Sequence, residues 1–144
     1  MKIIWMALLL CLSLGAVCLA SEKVEAPADC RHCGMNRTSF DQSRMLVIYS
    51  DGSSAGTCSL NCVVTEMKES KGKKIKSFKV ADYNTRKLSD ARKAFWVIGG
   101  KIPGVMTRVA KWAFTTKQGA EAFIRENGGK LASFDEALRA AEKE

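Results

Sequence analysis

The spacing of apolar and polar positions over residues 45–82 predicts two strands, a helix and a third strand, in that order. Asp51-Gly52 separates the first two apolar runs and is a dipeptide typical of tight hairpin turns. Ser59 is a residue type that caps helices, and apolar positions at helical spacing follow it. The predicted elements are strands over Met45–Tyr49 and Ser53–Cys58, a helix that ends at Lys71-Gly72, and a strand over Lys74–Asp82.

Residues 95–142 follow the same order and end with an additional helix. Gly99-Gly100 with Pro103-Gly104 predicts a longer turn between the two strands. Either Thr115 or Thr116 is placed to cap the helix, and Asn127-Gly128-Gly129 is placed to end it. The predicted elements are strands over Phe95–Ile98 and Val109–Phe114, this helix, a short strand over Lys130–Ala132 and a last helix over Phe134–Glu142.

An offset of 56 residues aligns the two halves. The aligned pairs include Cys58 with Phe114, Ser59 with Thr115, Met67 with Phe123, Gly72 with Gly128 and Ile75 with Leu131. We therefore predict an α+β fold of duplicated ββαβ units in a single compact domain. The first unit spans about residues 45–82, the second about 95–132, and the C-terminal helix 134–142.

The first 20 residues have the pattern of an export signal. Lys2 supplies the positive end, and Ile3 to Leu14 form an apolar core that is short for a membrane span. Ala20 is a small residue, so cleavage before Ser21 is predicted, which would place the protein in the periplasm. Cleavage before Cys18, which would create a lipid anchor and a membrane-associated protein, is the alternative.

Residues 21–29 are polar, include Pro27, and are predicted to be a mobile tether. The chain carries 23 Lys and Arg against 15 Asp and Glu, a net charge of +8, and loss of Lys2 with the signal lowers it to +7. Exported proteins seldom meet nucleic acid, and the basic run over residues 71–76 is typical of a solvated loop, so no nucleic-acid partner is predicted. The positive charge favours an acidic partner or anionic lipid headgroups.

The stretch Asp29–Met35 combines two thiols, an imidazole and a thioether. Sulfur donors of this kind favour Cu(I), whereas carboxylate clusters favour Mg, Ca or Mn. Gly34 follows Cys33 where attachment of a c-type haem would need histidine, which argues against haem. We interpret the stretch as a soft-metal site in which Cys33 and Met35 chelate one Cu(I) ion.

Further donors for this ion are drawn from four residues: His32, which is the single histidine and is expected to be exposed, Cys30, Met45 and Met106. Met45 lies in a predicted strand, where filling the core is the more common role. Cys58 and Cys62 form a second thiol pair, and Ser59 would place Cys62 in the first turn of a helix, where thiolate is favoured. We expect this pair to be partly dispensable for metal transfer, because only the first pair has a methionine in chelating reach.

Three other interpretations of the cysteines remain open. In an oxidising compartment Cys30, Cys33, Cys58 and Cys62 can form disulfides, with three connectivities available. Four thiols at these spacings can also hold structural zinc. A dithiol oxidoreductase is the enzyme alternative, but it would need the Cys-x-x-Cys sequence to open a helix after a strand.

Several segments together resemble the NosL family over nearly the whole mature chain. They are Cys33-Gly34-Met35, Asp51 to Cys62, Lys79 to Tyr83, Ala91 with Ala94 to Val97, Gly104 to Met106, Ala113-Phe114, and Ala122-Phe123 with Gly128-Gly129. The resemblance implies a NosL-like domain over residues 30–144 with two ββαβ units similar to those of the organomercurial lyase MerB. It also implies an exported, often lipid-anchored Cu(I)-binding accessory protein of nitrous oxide reductase maturation, and not an enzyme.

The family's copper motif, Cys-x-Met, falls on Cys33 and Met35, and its Gly-x-Met segment falls on Gly104 to Thr107. The segment Cys58 to Cys62 resembles a thiol-rich branch of the family. The implied partners are nitrous oxide reductase and a membrane transporter of its maturation system. Another thiophilic metal is the alternative cargo.

Overall fold

Strands and helices alternate in the same order twice along the chain. The computed structural model describes residues 23–70 and 72–144, so the predicted export signal over residues 1–20 lies outside the described residues. The elements are β1 Met45–Tyr49, β2 Ser54–Thr57, α1 Leu60–Glu69, β3 Ile75–Ala81, β4 Leu88–Asp90, β5 Phe95–Ile98, β6 Lys111–Phe114, α2 Lys117–Asn127, β7 Lys130–Ala132 and α3 Phe134–Glu142.

Two antiparallel sheets share one strand order. The first sheet runs β2-β1-β3-β4 and the second runs β6-β5-β7, so the first strand of each unit lies between the second and the third. In each unit a helix, α1 or α2, connects the second strand to the third. The prediction of an α+β fold with duplicated ββαβ units in one compact domain is therefore confirmed.

Hydroxyl side chains cap the N-termini of α1, α2 and α3. Ser59 caps α1 and accepts a hydrogen bond from the backbone N–H of Cys62, as predicted. Thr116 caps α2, one position beyond the residue that the offset of 56 pairs with Ser59. Ser133 and Glu136 form a reciprocal capping box at the start of α3. The helices contain 10, 11 and 9 residues, and among the residues that the structure describes no helix is long and apolar enough to cross a bilayer.

The strands β2 and β3 are each one residue shorter at both ends than predicted, and three larger differences have structural causes. The short strand β4 was not predicted, because its three residues are all half-buried and show no alternation. The strand predicted from Val109 begins at Lys111, because the backbone N–H groups of Arg108 and Val109 donate to the Glu144 carboxylate. Helix α1 ends at Glu69, ahead of the predicted stop, and Ser70 caps it.

Two apolar clusters form the core, and β5 contributes to both. Trp96 belongs to the cluster formed around the first sheet, α1 and α3, whereas Val97 belongs to the cluster around α2 and the second sheet. Neighbouring residues of a strand point to opposite faces, which explains this division. The second cluster also contains Cys30, Cys58 and Cys62, with Cys33 and Met35 packed against it. The cysteines therefore lie at the edge of a core and not in a surface loop.

Asp82 is buried, and its hydrogen bonds join the two units. It follows β3, and its carboxylate accepts from the backbone N–H and the hydroxyl of Thr115, at 2.6 and 2.8 Å, directly after β6. The backbone N–H groups of Asn84 and Thr85 also donate to it. Burial raises the pKa of Asp82, but these hydrogen bonds outweigh it and hold the pKa below its ordinary value.

Part of the predicted tether contacts the domain. Glu25 forms ion pairs with the buried guanidinium groups of Arg37 and Arg44, and Arg37 also donates to the carbonyl oxygen of Pro27. Arg37 further donates to the carbonyl oxygens of two residues at strand ends, Met45 and Thr57. Residues 25–29 are thus held against the first sheet, where the sequence predicted a mobile segment.

Candidate metal centre

Four cysteine sulfur atoms meet in one place. The Sγ atoms of Cys30, Cys33, Cys58 and Cys62 all lie within 4.8 Å of one another. The Cys33–Cys58, Cys58–Cys62 and Cys33–Cys62 separations are 3.4, 3.7 and 3.8 Å. None of the four is in a disulfide, and three are buried while Cys33 is half-buried. The two thiol pairs that the sequence interpretation treated separately therefore form one cluster.

A tight turn brings the first two thiols together. The backbone N–H of Cys30 donates to the carbonyl oxygen of Met35 at 2.8 Å, and the N–H of Gly34 donates to the carbonyl oxygen of Cys30 at 2.9 Å. Gly34 has a φ of +73°, a conformation that residues with a Cβ rarely adopt. Glycine at this position closes the turn over Cys30–Met35 so that it presents both thiols to one side.

The junction of β2 and α1 supplies the other two thiols. Cys58 lies in the bend before the Ser59 cap, and Cys62 lies in the first turn of α1. The carbonyl oxygen of Cys58 accepts a hydrogen bond from the hydroxyl of Ser43 at 2.7 Å, which holds the bend in place. The Cys-x-x-x-Cys spacing thus places one cysteine before the Ser59 cap and one after it. Both sulfur atoms lie at the positive end of the helix.

The protonation of the cluster is uneven. Hydrogen bonding from the Cys58 thiol is the main cause that lowers the pKa of Cys62 to about 5, with further hydrogen bonds from Cys30, Cys33 and Ser59. The pKa of Cys58 is raised, because its thiol donates to Cys62 and because it is buried. Burial also raises the pKa of Cys33 to about 11. Among Cys33, Cys58 and Cys62, ionisation is therefore most favoured at Cys62.

The sulfur separations fit a single thiophilic ion. Metal–sulfur bonds of about 2.3 Å in a tetrahedral site place the sulfur atoms about 3.8 Å apart. The three sulfur separations given above, 3.4 to 3.8 Å, are close to that value. Little movement is needed for these side chains to close around an ion, and the donor set is all sulfur, which suits soft metals.

The three methionines that the sequence offers as donors lie in three different environments. Met35 is half-buried and packs against the cluster that contains the cysteines. Met45 is fully buried in the other apolar cluster, where packing accounts for it. Met106 is 51% exposed with a φ of +51°, and its neighbour Val105 is buried in the cysteine-containing cluster. Of the three, Met35 is the one whose side chain packs against the apolar cluster that contains the cysteines.

His32 does not have the environment expected from the sequence. Its side chain is 7% exposed, although an exposed ring was expected. Its Nε2 donates to Glu66 Oε2 at 2.7 Å, and its Nδ1 lies 3.3 Å from Glu69 Oε2. Both carboxylates belong to α1, so in this arrangement both ring nitrogens face carboxylates.

Comparison with known protein families finds a match over most of the chain. The model of the NosL family matches residues 21–141. The chain belongs to the NosL family. This confirms the resemblance seen in the sequence. NosL is a family of copper chaperones and not of enzymes, and the prediction that the chain is not an enzyme is confirmed on that ground.

Two solved NosL structures are similar to this chain. The crystal structure of the copper chaperone NosL from Shewanella denitrificans is 25% identical, covers 81% of this chain and 93% of that one, and superposes with a TM-score of 0.61. The solution structure of apo-NosL from Achromobacter cycloclastes is 19% identical, covers 63% of this chain and 82% of that one, and has a TM-score of 0.44. A comparison with curated proteins found no match.

Sequence reasoning missed two residues of this NosL site. Glu66 is a buried carboxylate one helical turn after Cys62, and Tyr49, on β1, donates its hydroxyl to that carboxylate. Glu66 could have been found, because it lies on the buried stripe of α1 together with Cys62 and Val63. A charge in an apolar stripe indicates a specific buried partner. Tyr49 gave no comparable signal.

Proposed function

We propose that this protein binds one Cu(I) ion at the four-thiol cluster and passes it to a copper enzyme outside the cytoplasm. The observation that carries the proposal is the convergence of four cysteine sulfur atoms within 4.8 Å. Membership of the NosL family and the similarity to a copper chaperone support copper as the cargo. The donor chemistry supports the reduced ion, because thiolate and thioether ligands favour Cu(I).

Uneven burial of the donors supports transfer rather than permanent storage. Cys30, Cys58 and Cys62 are buried, whereas Cys33 and Met35 are half-buried and so more accessible to solvent. An incoming ligand from a recipient therefore reaches the ion from the side of the Cys30–Met35 turn. We propose that Cys33 and Met35 are the first donors to exchange when the ion leaves.

The recipient that we propose is nitrous oxide reductase, with a membrane transporter of its maturation system as the source of copper. The proposal includes export by the segment over residues 1–20, residence in the periplasm, and membrane association if Cys18 carries a lipid. Deleting the gene should leave a copper-depleted reductase that added copper partly restores. A fully copper-loaded reductase in the deletion strain would contradict this recipient and leave a general copper carrier.

Structural zinc is the second candidate, because the three sulfur separations also suit a tetrahedral zinc–thiolate site. The reduced, metal-free protein should be titrated with Cu(I) against a competing Cu(I) chelator, and separately with Zn(II) against a zinc chelator. We expect about one equivalent of Cu(I), bound far more tightly than Zn(II). Tighter zinc binding, with thermal stability that depends on zinc, would favour the structural role.

Methionine variants make the titration specific to the site. Met35→Leu removes a thioether that packs against the cysteine-containing cluster, and Met67→Leu is a matched change on α1, where the side chain packs against the other apolar cluster. Both changes nearly conserve volume, so their packing costs should be similar and small. A Cu(I) affinity that falls only in Met35→Leu would support thioether participation.

A further inference from the structure

His32 links the turn that carries two thiols to the helix that carries a third. It lies between Cys30 and Cys33 in the chain, and its ring is nearly buried against α1. Nε2 is 2.7 Å from Glu66 Oε2, and Nδ1 is 3.3 Å from Glu69 Oε2. The ring therefore bridges two carboxylates that are spaced one turn apart on that helix.

Glu66 is itself held in place from the other side. Its side chain is 3% exposed, and its second oxygen accepts a hydrogen bond from the hydroxyl of Tyr49 on β1. Arg31, the neighbour of His32, places its Nε 3.7 Å from the same carboxylate. A buried carboxylate with fixed partners on two sides is a rigid acceptor, so it defines where the His32 ring can lie.

We infer that His32 is a positioning residue and not a metal ligand: by bonding Glu66 it fixes the Cys30–Met35 turn on α1 and sets the distance between the sulfur atoms of Cys33 and Cys62. Cys62 lies on α1 one turn before Glu66, so the two contacts between turn and helix are adjacent. Only the expected effect on Cu(I) affinity rests on the proposed function. The structural linkage can be tested on the metal-free protein.

The consequence for metal binding is preorganisation. The Cys33 and Cys62 sulfur atoms are 3.8 Å apart, close to the separation that a bound ion requires. If the turn were free, binding would have to order it, and the ion would be held less tightly. Loss of a residue that orients a metal ligand typically costs about 10–100-fold in metal affinity.

Three variants separate positioning from ligation. His32→Leu removes every hydrogen bond of the ring. His32→Gln keeps an amide N–H that can reach the Glu66 carboxylate, but it replaces imidazole by a poor copper ligand. Asp135→Asn is the control, because it changes an exposed carboxylate whose ion pair, with Arg92, involves neither the turn nor His32.

Two measurements are made on each variant, together with a thermal melt that checks folding. The first is hydrogen–deuterium exchange of the backbone amides in residues 30–35 of the reduced, metal-free protein. The second is the affinity for Cu(I) under chelator competition. We expect faster exchange in the turn and about 10–100-fold weaker Cu(I) binding in His32→Leu, and values near those of the unmodified protein in His32→Gln and Asp135→Asn.

Two outcomes would overturn the inference. Unchanged exchange in the turn of a folded His32→Leu variant would show that His32 does not hold the turn. Equal loss of Cu(I) affinity in His32→Gln and His32→Leu, with exchange of the turn restored in His32→Gln, would identify imidazole as a ligand. An unmodified protein that binds no Cu(I) would count against the proposed function instead, and the exchange measurement would still decide the role of His32.

Discussion

The sulfur atoms of Cys33 and Cys58 lie 3.4 Å apart, although 25 residues separate them in the sequence. Cys33 belongs to the turn that precedes β1. Cys58 directly follows β2, the second strand of the β1–β2 hairpin. Because Cys62 lies 3.7 Å from Cys58 and 3.8 Å from Cys33, no thiol of this trio is isolated from the others. The thiols therefore form one site, to which the Cys30–Met35 turn and the Cys58–Cys62 segment both contribute.

The first prediction is that both thiol segments are required for copper binding. Cys33→Ser and the double variant Cys58→Ser/Cys62→Ser should each weaken Cu(I) binding by more than the roughly 10–100-fold that loss of an orienting residue costs. Chelator competition on the reduced proteins measures the affinities. Retention of most of the affinity in the double variant would restore the interpretation of two separate pairs.

The second prediction concerns the junction between the two ββαβ units. Asp82→Asn removes the negative charge of the carboxylate that accepts two hydrogen bonds from Thr115. A hydrogen bond to a charged group contributes about 1.5–3 kcal/mol to stability. We expect a loss of about 2–3 kcal/mol in the free energy of unfolding, measured by urea denaturation. Asp135→Asn is the matched control, because its single ion pair with Arg92 is exposed. Equal stability of the two variants would show that the Asp82 contacts do not join the units.

The third prediction is a pH dependence that arises from Glu144. Burial opposes ionisation of this carboxylate, but hydrogen bonds from Lys111, Thr107 and the backbone of Arg108 lower its pKa from 4.5 to about 2. A lowered folded-state pKa gives stability that is fully present above pH 4.5 and is lost as the pH falls towards 2.

Glu144→Gln should therefore destabilise the protein at pH 7, with a difference from the unmodified protein that shrinks below pH 4.5. Urea denaturation at pH 7, 4.5 and 3 measures this difference. A difference that stays constant over that range would mean that the carboxylate charge does not contribute through its pairing with Lys111.

Much of the fold followed from local signals in the sequence. The run Met45–Tyr49 with its Asp51-Gly52 turn, and the cap at Ser59, are short-range patterns, and the structure has the strand and the cap at those positions. Leu88–Asp90 could not be predicted, because those three residues form a strand only by pairing with the edge of β3. The start of β6 was also misplaced, since a distant carboxylate, Glu144, occupies the backbone donors ahead of it.

For the candidate site, too, the local features could be predicted and the contacts between distant residues could not. The thiols, Met35 and the soft-metal chemistry were read from residue types and spacing. The meeting of Cys33 with Cys58 depends on how the first turn packs against the hairpin, so spacing could not reveal it. The surroundings of His32 were mispredicted for the same reason, because its partner Glu66 lies 34 residues away.

The measurement that tests the central claim most directly is X-ray absorption at the copper edge of reduced protein loaded with one equivalent of Cu(I) in the presence of excess Zn(II). We predict that copper remains bound as Cu(I) with sulfur donors only, supplied by the thiol cluster and Met35. Nitrogen or oxygen donors around the ion, or displacement of copper by zinc, would contradict the assignment of the cluster as a Cu(I) site.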